Sequence, residues 1–217
     1  MPLKLYAHPF SSYCQKALIA LYEHGVAFEY RMLEEPGVMD ELAALWPLRK
    51  FPVLVDDGRT VVEASVIVEH VDIFHPGPAK LVPTDPRAAL EVRTLDRFFD
   101  NYIMTPMQKL VANALRAEAD RDAYGVTEQR QALETAYRWL NETLAGRTWA
   151  TGGAFTLADC AAAPSLFYAD WAHPIGEDLT NLKAYRARLL ARPSFARAVD
   201  EARPYRAYFP LGAPDRD

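Results

Sequence analysis

Two adjacent hydroxyls and a thiol, in the run Ser11-Ser12-Tyr13-Cys14, are the residues best placed to do chemistry in this 217-residue chain. An alkanol is a weak nucleophile at neutral pH, but it donates a hydrogen bond that an anion or a thiolate accepts. The flanking pattern provides a place for such an anion. Leu3, Leu5 and Ala7 alternate with Lys4, Tyr6 and His8, which is the period of a strand, and Pro9 ends it. Ala17, Leu18, Ala20 and Leu21 then recur at helical spacing as far as Gly25, a residue suited to a left-handed cap. Ser11 and Ser12 therefore fall where a strand hands over to a helix. Unpaired backbone N–H groups and the positive end of the helix dipole gather there.

The elements that must position this joint follow in order. Residues 26–32 alternate again and predict a second strand, so strand, helix and strand form a right-handed parallel βαβ unit. Met39 to Leu45 predicts a short helix between Pro36-Gly37 and Pro47. From Phe51 to Val62, Asp57-Gly58 separates two β-branched runs, a strong hairpin signal, and Pro52 belongs at the start of its strand. Glu63-Ala64-Ser65 then opens a third helix through Val71. Pro76, Pro78, Pro83 and Pro86 mark a linker, and Asp85-Pro86 is a helix start.

Helical periodicity dominates the rest. Leu90, Leu95, Phe98, Phe99 and Tyr102 make an apolar stripe that Pro106 kinks or breaks, and Tyr102, Met104 and Met107 are candidates to line an apolar pocket against plain core packing. Further helices are expected from about Thr127 to Leu144, Leu182 to Ala191 and Ser194 to Ala202, with a loop from Asp120 to Gly125. Phe155-Thr156-Leu157-Ala158-Asp159 has the form of a capping box with aspartate at its third position. The tail from Pro204 to Pro210 is a candidate cover for the pocket.

Composition excludes several classes. The formal net charge of −5, with no dominant Lys/Arg cluster, argues against nucleic acid. No apolar run reaches the length of a membrane span, and the start Met-Pro-Leu-Lys-Leu does not read as a signal peptide. Two distant cysteines, Cys14 and Cys160, fit a reduced, cytoplasmic setting, and no metal site is expected.

Taken in order, the Ser-x-x-Cys loop, Phe51-Pro52, the hairpin, Glu63-x-Ser65, the linker and the capping box resemble the serine-type glutathione transferases across the whole chain. The loop also resembles the glutaredoxin Cys-Pro-Tyr-Cys motif with serine in place of the attacking cysteine, which disfavours thiol oxidoreductase chemistry. The resemblance implies a thioredoxin-like α/β domain, βαβ-ββα, over residues 1–78, a linker over 79–86 and an all-α domain over 87–217 that carries the electrophile pocket and a homodimer surface around Phe98 and Phe99. It implies glutathione as co-substrate, detoxification as the role and a small apolar electrophile as the second substrate. Ser11 is the implied thiol activator, with Ser12 second and Tyr6 third. Arg49 and Lys50 are candidates for the glycine carboxylate; Phe51 and Pro52, with the proline expected cis, for the peptide backbone. Glu63, Ala64 and Ser65 stand at the γ-glutamyl carboxylate, and His8 and Phe10 beside Tyr102, Met104 and Met107 at the pocket. Ala64 stands where the family usually has serine, a departure that removes one hydroxyl. An isomerase of the zeta type and a non-catalytic binding module are the alternatives. Asp159 is implied to stabilise the fold and Cys160 to be inert core.

Overall fold

The computed structural model describes residues 3–78 and 80–217; Met1, Pro2 and Ala79, the first residue of the expected linker, lie outside the described residues. Four strands form one mixed sheet in the order β2-β1-β3-β4. β1 (Lys4–Ala7) pairs in parallel with β2 (Glu29–Met32) and antiparallel with β3 (Val53–Asp56), which pairs antiparallel with β4 (Arg59–Val62). The β3–β4 hairpin turns at Asp57 and Gly58, both at positive φ (46° and 79°), as Asp-Gly at a two-residue turn predicts. The second strand begins at Glu29, three residues later than its alternation suggested.

Strand alternation divides the sheet's side chains between two layers. Leu5, Ala7, Leu54 and Val61 face α1 (Ser12–His24) and α3 (Ala64–Phe74), packing on Leu18, Leu21, Ile67 and Val71. Tyr6 and Val53 face α2 (Val38–Leu45) and pack on Val38 and Leu42. α1 ends as expected at Gly25, left-handed at φ 65°.

The remaining elements are helical: α4 (Pro86–Phe98), α5 (Thr105–Ala114), α6 (Ala123–Thr143), α7 (Leu157–Ala172), α8 (Thr180–Leu190) and α9 (Pro193–Ala202). Pro106 does not end the helical run. A π-helical segment, Phe99–Met104, joins α4 to α5, and the Thr105 N–H bonds five residues back to the Asp100 carbonyl. The wider turn absorbs a proline whose ring and missing N–H an α-helical turn would not tolerate. α6 starts four residues before its expected place, because Asp122 caps it through the Gly125 N–H at 2.8 Å.

α7 is buried on every face and organises this half. Asp159, fully buried, accepts from the Thr156 N–H (2.8 Å), the Ala150 N–H (2.8 Å) and the Tyr185 hydroxyl (2.7 Å), so the capping box also ties α7 to α8 and to the turn before it. The proline-rich connection is packed rather than a free tether. Leu81 and Val82 are buried, and their N–H groups donate to Asp72 of α3. Ile19 and Ala20 of α1 and Val68 of α3 belong to the same apolar cluster as α4, α5 and α7. Phe99 is fully buried in that cluster and offers no surface for a dimer, which corrects the expectation for it.

Candidate active site

A cavity of about 570 Å³ opens between the sheet's α1/α3 edge and the α4–α5 rod. Ser11 enters it from the β1–α1 joint, together with Tyr13. Ser11 is the N-cap of α1: its backbone is extended and its Oγ accepts from the Cys14 N–H at 3.4 Å. Ser12 is buried and does not line the cavity, so the capping role falls to Ser11 and not to Ser12. Because a capping oxygen only accepts, the Ser11 proton stays available to a ligand in the cavity. The joint is held from behind: Gln15 Nε2 donates to the Pro9 carbonyl (2.9 Å) and the Tyr168 hydroxyl (3.1 Å), and that hydroxyl donates to the Phe10 carbonyl (2.9 Å).

Cys14 is fully buried behind the joint, and burial pushes its thiol up to about 12. It is neither accessible nor ionised, so it is no redox partner at neutral pH. Burial also raises the Tyr13 phenol to about 12, leaving it a neutral donor.

The opposite wall comes from the stretch before β3 and from the start of α3. Arg49, Lys50, Phe51 and Pro52 line the cavity, Arg49 at positive φ (51°) and the Phe51–Pro52 bond cis, as expected. Glu63, at φ 70°, and Ala64 line it where α3 begins. Ser65 does not. Its hydroxyl accepts from Lys16 Nζ at 2.8 Å and donates to Asp96 Oδ2 at 2.9 Å, and Arg97 also reaches it. Lys16, Asp96, Arg97 and Asp100 thus close a balanced charge cluster between α1, α3 and the α4 rod, with Lys16 Nζ 2.5 Å from Asp96 and 2.8 Å from Asp100. Burial raises the Asp100 carboxyl above the usual range, against the pull of Lys16.

The helical wall is polar: Arg97, Asp100, Asn101 and Gln108. None of the five residues expected at the electrophile pocket lines this cavity. Met104 and Met107 are buried core, and Tyr102 is exposed beside Phe98, 5.2 Å between rings. The His8 ring faces the tail, 4.6 Å from the Tyr205 ring, and Phe10 packs on Tyr168. The tail therefore covers His8 and α7, and no residue of Pro204 to Pro210 lines the Ser11 cavity. Tyr6 points to the other sheet face, donating to Glu41 at 3.0 Å.

Family models match both halves: residues 5–79 match the glutathione S-transferase N-terminal domain and residues 114–188 its C-terminal domain. The chain belongs to the glutathione transferase family. A solved glutathione S-transferase from Methylobacterium radiotolerans, in complex with glutathione sulfonate, is 31% identical and superposes with a TM-score of 0.78, covering 92% of this chain and 95% of that one. Glutathione S-transferase U10 of Arabidopsis thaliana is 31% identical over 57% of this chain, which spans about half (52%) of that relative. A stringent starvation protein A homolog of Pasteurella multocida is 26% identical over 93% of this chain and 92% of its own length.

In this chain the loop residues and the α3 start lay within short, recognisable motifs. Trp46, Arg97, Asp100, Asn101 and Gln108 were missed as lining residues. On sequence alone they read as a loop aromatic and the polar face of a helix; the Lys16 ion pairs to Asp96 and Asp100 tie the rod to α1 and bring Arg97, Asp100, Asn101 and Gln108 into the wall. Among the described residues, no helix is long and apolar enough to cross a membrane.

Proposed function

We propose that the cavity binds glutathione and that Ser11 holds its sulfur as the thiolate for attack on a small electrophile. The observation that carries this reading is the convergence on one cavity of the α1 N-cap hydroxyl, the Arg49–Lys50 cations and the α3 start at Glu63–Ala64. Glutathione is a zwitterion with a carboxylate at each end, and those charges have matching counterparts. Arg49 and Lys50 take the glycine carboxylate. The N–H groups of the first turn of α3 take the γ-glutamyl carboxylate. Glu63 and Asp100 supply negative charge for the ammonium beside it. Phe51 and Pro52 line the wall between the two ends.

The chemical task is ionisation. A thiol of ordinary pKa is about 3% thiolate at pH 7, and lowering it by about two units takes about 2.7 kcal/mol of preferential stabilisation. One hydroxyl donor and a helix N-terminus supply about that much. The thiolate then forms a C–S bond at the electrophilic carbon, and the electron pair leaves with the displaced group or is protonated by water. For the electrophile, Tyr13 and Trp46 offer aromatic faces, and Asn101 and Gln108 offer hydrogen bonds, so a ring with a polar substituent suits this cavity better than the wholly apolar molecule expected from the sequence.

The same reading takes residues 1–78 as the glutathione-binding domain, 79–86 as the linker and 87–217 as the helical domain. It places the protein in the cytoplasm with a detoxifying role, as a homodimer that covers exposed apolar side chains of α3 and the α4 rod, Val66, Leu90 and Tyr102 among them. Calorimetry with glutathione tests the reading: saturable binding weakened by Arg49→Ala is expected, and no binding at millimolar ligand contradicts it.

A further inference from the structure

Away from the cavity, three ligand-type side chains from separate parts of the sequence meet at one point. Asp56 ends β3, His70 lies in the last turns of α3, and His75 is the residue that caps α3. Nε2 of His70 lies 2.8 Å from Asp56 Oδ2, and Nε2 of His75 lies 2.7 Å from the same oxygen. All three donor atoms fall within 4.8 Å of one another. Their side chains are 9%, 17% and 30% exposed for His70, Asp56 and His75, so the cluster is shielded on the protein side and open to solvent on the other.

We infer that Asp56, His70 and His75 bind a divalent transition-metal ion, zinc by the chemistry of the donors, and that the ion cross-links the β3–β4 hairpin to the end of α3. Two imidazole nitrogens and a carboxylate oxygen are three of the ligands zinc prefers, with a water completing four. Bonds of about 2.0 Å around a tetrahedral ion put ligand atoms about 3.3 Å apart. The two N···O contacts need therefore open by only about half an ångström. The backbone is arranged for this convergence. His75 leaves the helix at φ −130° and ψ 57° with its N–H still bonded to the Val71 carbonyl at 2.9 Å, which turns its ring back over the strand end. Two residues on, the Gly77 N–H donates to His24 Nδ1 at 2.6 Å and fixes the exit. The Phe74 ring shields His70, 4.6 Å away. No metal was expected from the sequence: Asp56 is remote from both histidines, and a His-x4-His pair without cysteines before it does not by itself mark a zinc site.

The site is separate from the cavity: Ala64, which lines the cavity, opens α3, and His70 lies about 9 Å further along the helix axis. The test uses the full chain stripped with chelator. Calorimetry with Zn²⁺ is expected to give one ion per chain, with affinity reduced about a hundredfold or more in Asp56→Asn and in His75→Gln, since even second-layer partners contribute ten- to a hundredfold. Added Zn²⁺ is expected to raise the melting midpoint of the parent and not of those variants. The parent alone is also decisive with Co²⁺: intense visible bands of a low-coordinate nitrogen–oxygen site, without thiolate charge transfer, support the assignment. Zinc affinity unchanged in both variants, a cobalt spectrum with thiolate bands, or no saturable binding overturns it. Retained zinc binding by a Ser11→Ala variant keeps the two sites distinguishable.

Discussion

Ser11 performs two tasks with one hydroxyl: its oxygen caps α1 through the Cys14 N–H, and its proton is left for the ligand's sulfur. Ser11→Ala is expected to lower kcat/KM about ten- to a hundredfold, the value of a hydrogen bond to a charged partner, and to cost about 1 kcal/mol of stability through the lost cap. Ser12→Ala, whose side chain is buried outside the cavity, is expected to leave turnover unchanged. Steady-state kinetics with a chromogenic aryl halide, alongside melting curves, checks both. Position 64 makes the second prediction at this scale. Ala64 lines the cavity, whereas the Ser65 hydroxyl is committed to Lys16 and Asp96. Ala64→Ser should therefore tighten glutathione binding by up to about tenfold, and Ser65→Ala should lower stability with little change in affinity. Calorimetry on the two variants separates these outcomes. Ser11 and Glu63 belong to local motifs, whereas Arg49 and Lys50 were candidates only by resemblance; all four line the cavity. Ser65 was legible as a hydroxyl near the site, but its partners, Lys16 and Asp96, are remote in sequence, and nothing local shows that it is already occupied.

At the scale of elements, α1 is the helix against which everything else is registered. Its Lys16, 1% exposed at the side chain, sits between Asp96 and Asp100 of the α4 rod. Lys16→Met leaves two carboxylates without their buried cation and is expected to cost about 3 to 5 kcal/mol, read as a lowered midpoint in denaturant. Glu23, near the other end of α1, accepts from Arg192 Nε at 2.8 Å and Nη2 at 2.6 Å, beside Ser194 at the start of α9. Burial raises its carboxyl, but the bonds from Arg192 and Ser194 outweigh it and hold the group below its ordinary 4.5. A carboxylate depressed in the folded state contributes stability that is fully present above its ordinary value and is lost as pH falls through the folded value. The stability difference between the parent and Glu23→Gln is therefore expected to be constant near neutrality and to shrink below about pH 4.5; chemical denaturation at a series of pH values checks it. The strands, hairpin and most helices were legible because period and turn residues are local. The π-helical segment was not: Pro106 signals a break, and only the packing of Phe99, Ile103 and Met104 into the shared core keeps the rod continuous.

At the scale of the whole molecule, the sequence divides at its proline-rich stretch, whereas the packing does not. Ile19, Ala20 and Val68 enter the helical core, and Asp72 holds the connection by its backbone. That continuity brings a polar stretch of the α4–α5 rod opposite Ser11 and makes a cavity from two halves whose facing residues were separately unremarkable. The central claim is that this cavity lowers the pKa of a bound thiol. The most direct measurement is the ultraviolet absorbance of thiolate in the glutathione complex as pH is varied. The account predicts a bound-thiol midpoint lowered by about two units from the free value of about 8.5 or above, and a smaller depression in the Ser11→Ala complex. Glutathione that binds saturably but titrates at its free value in both proteins would contradict it.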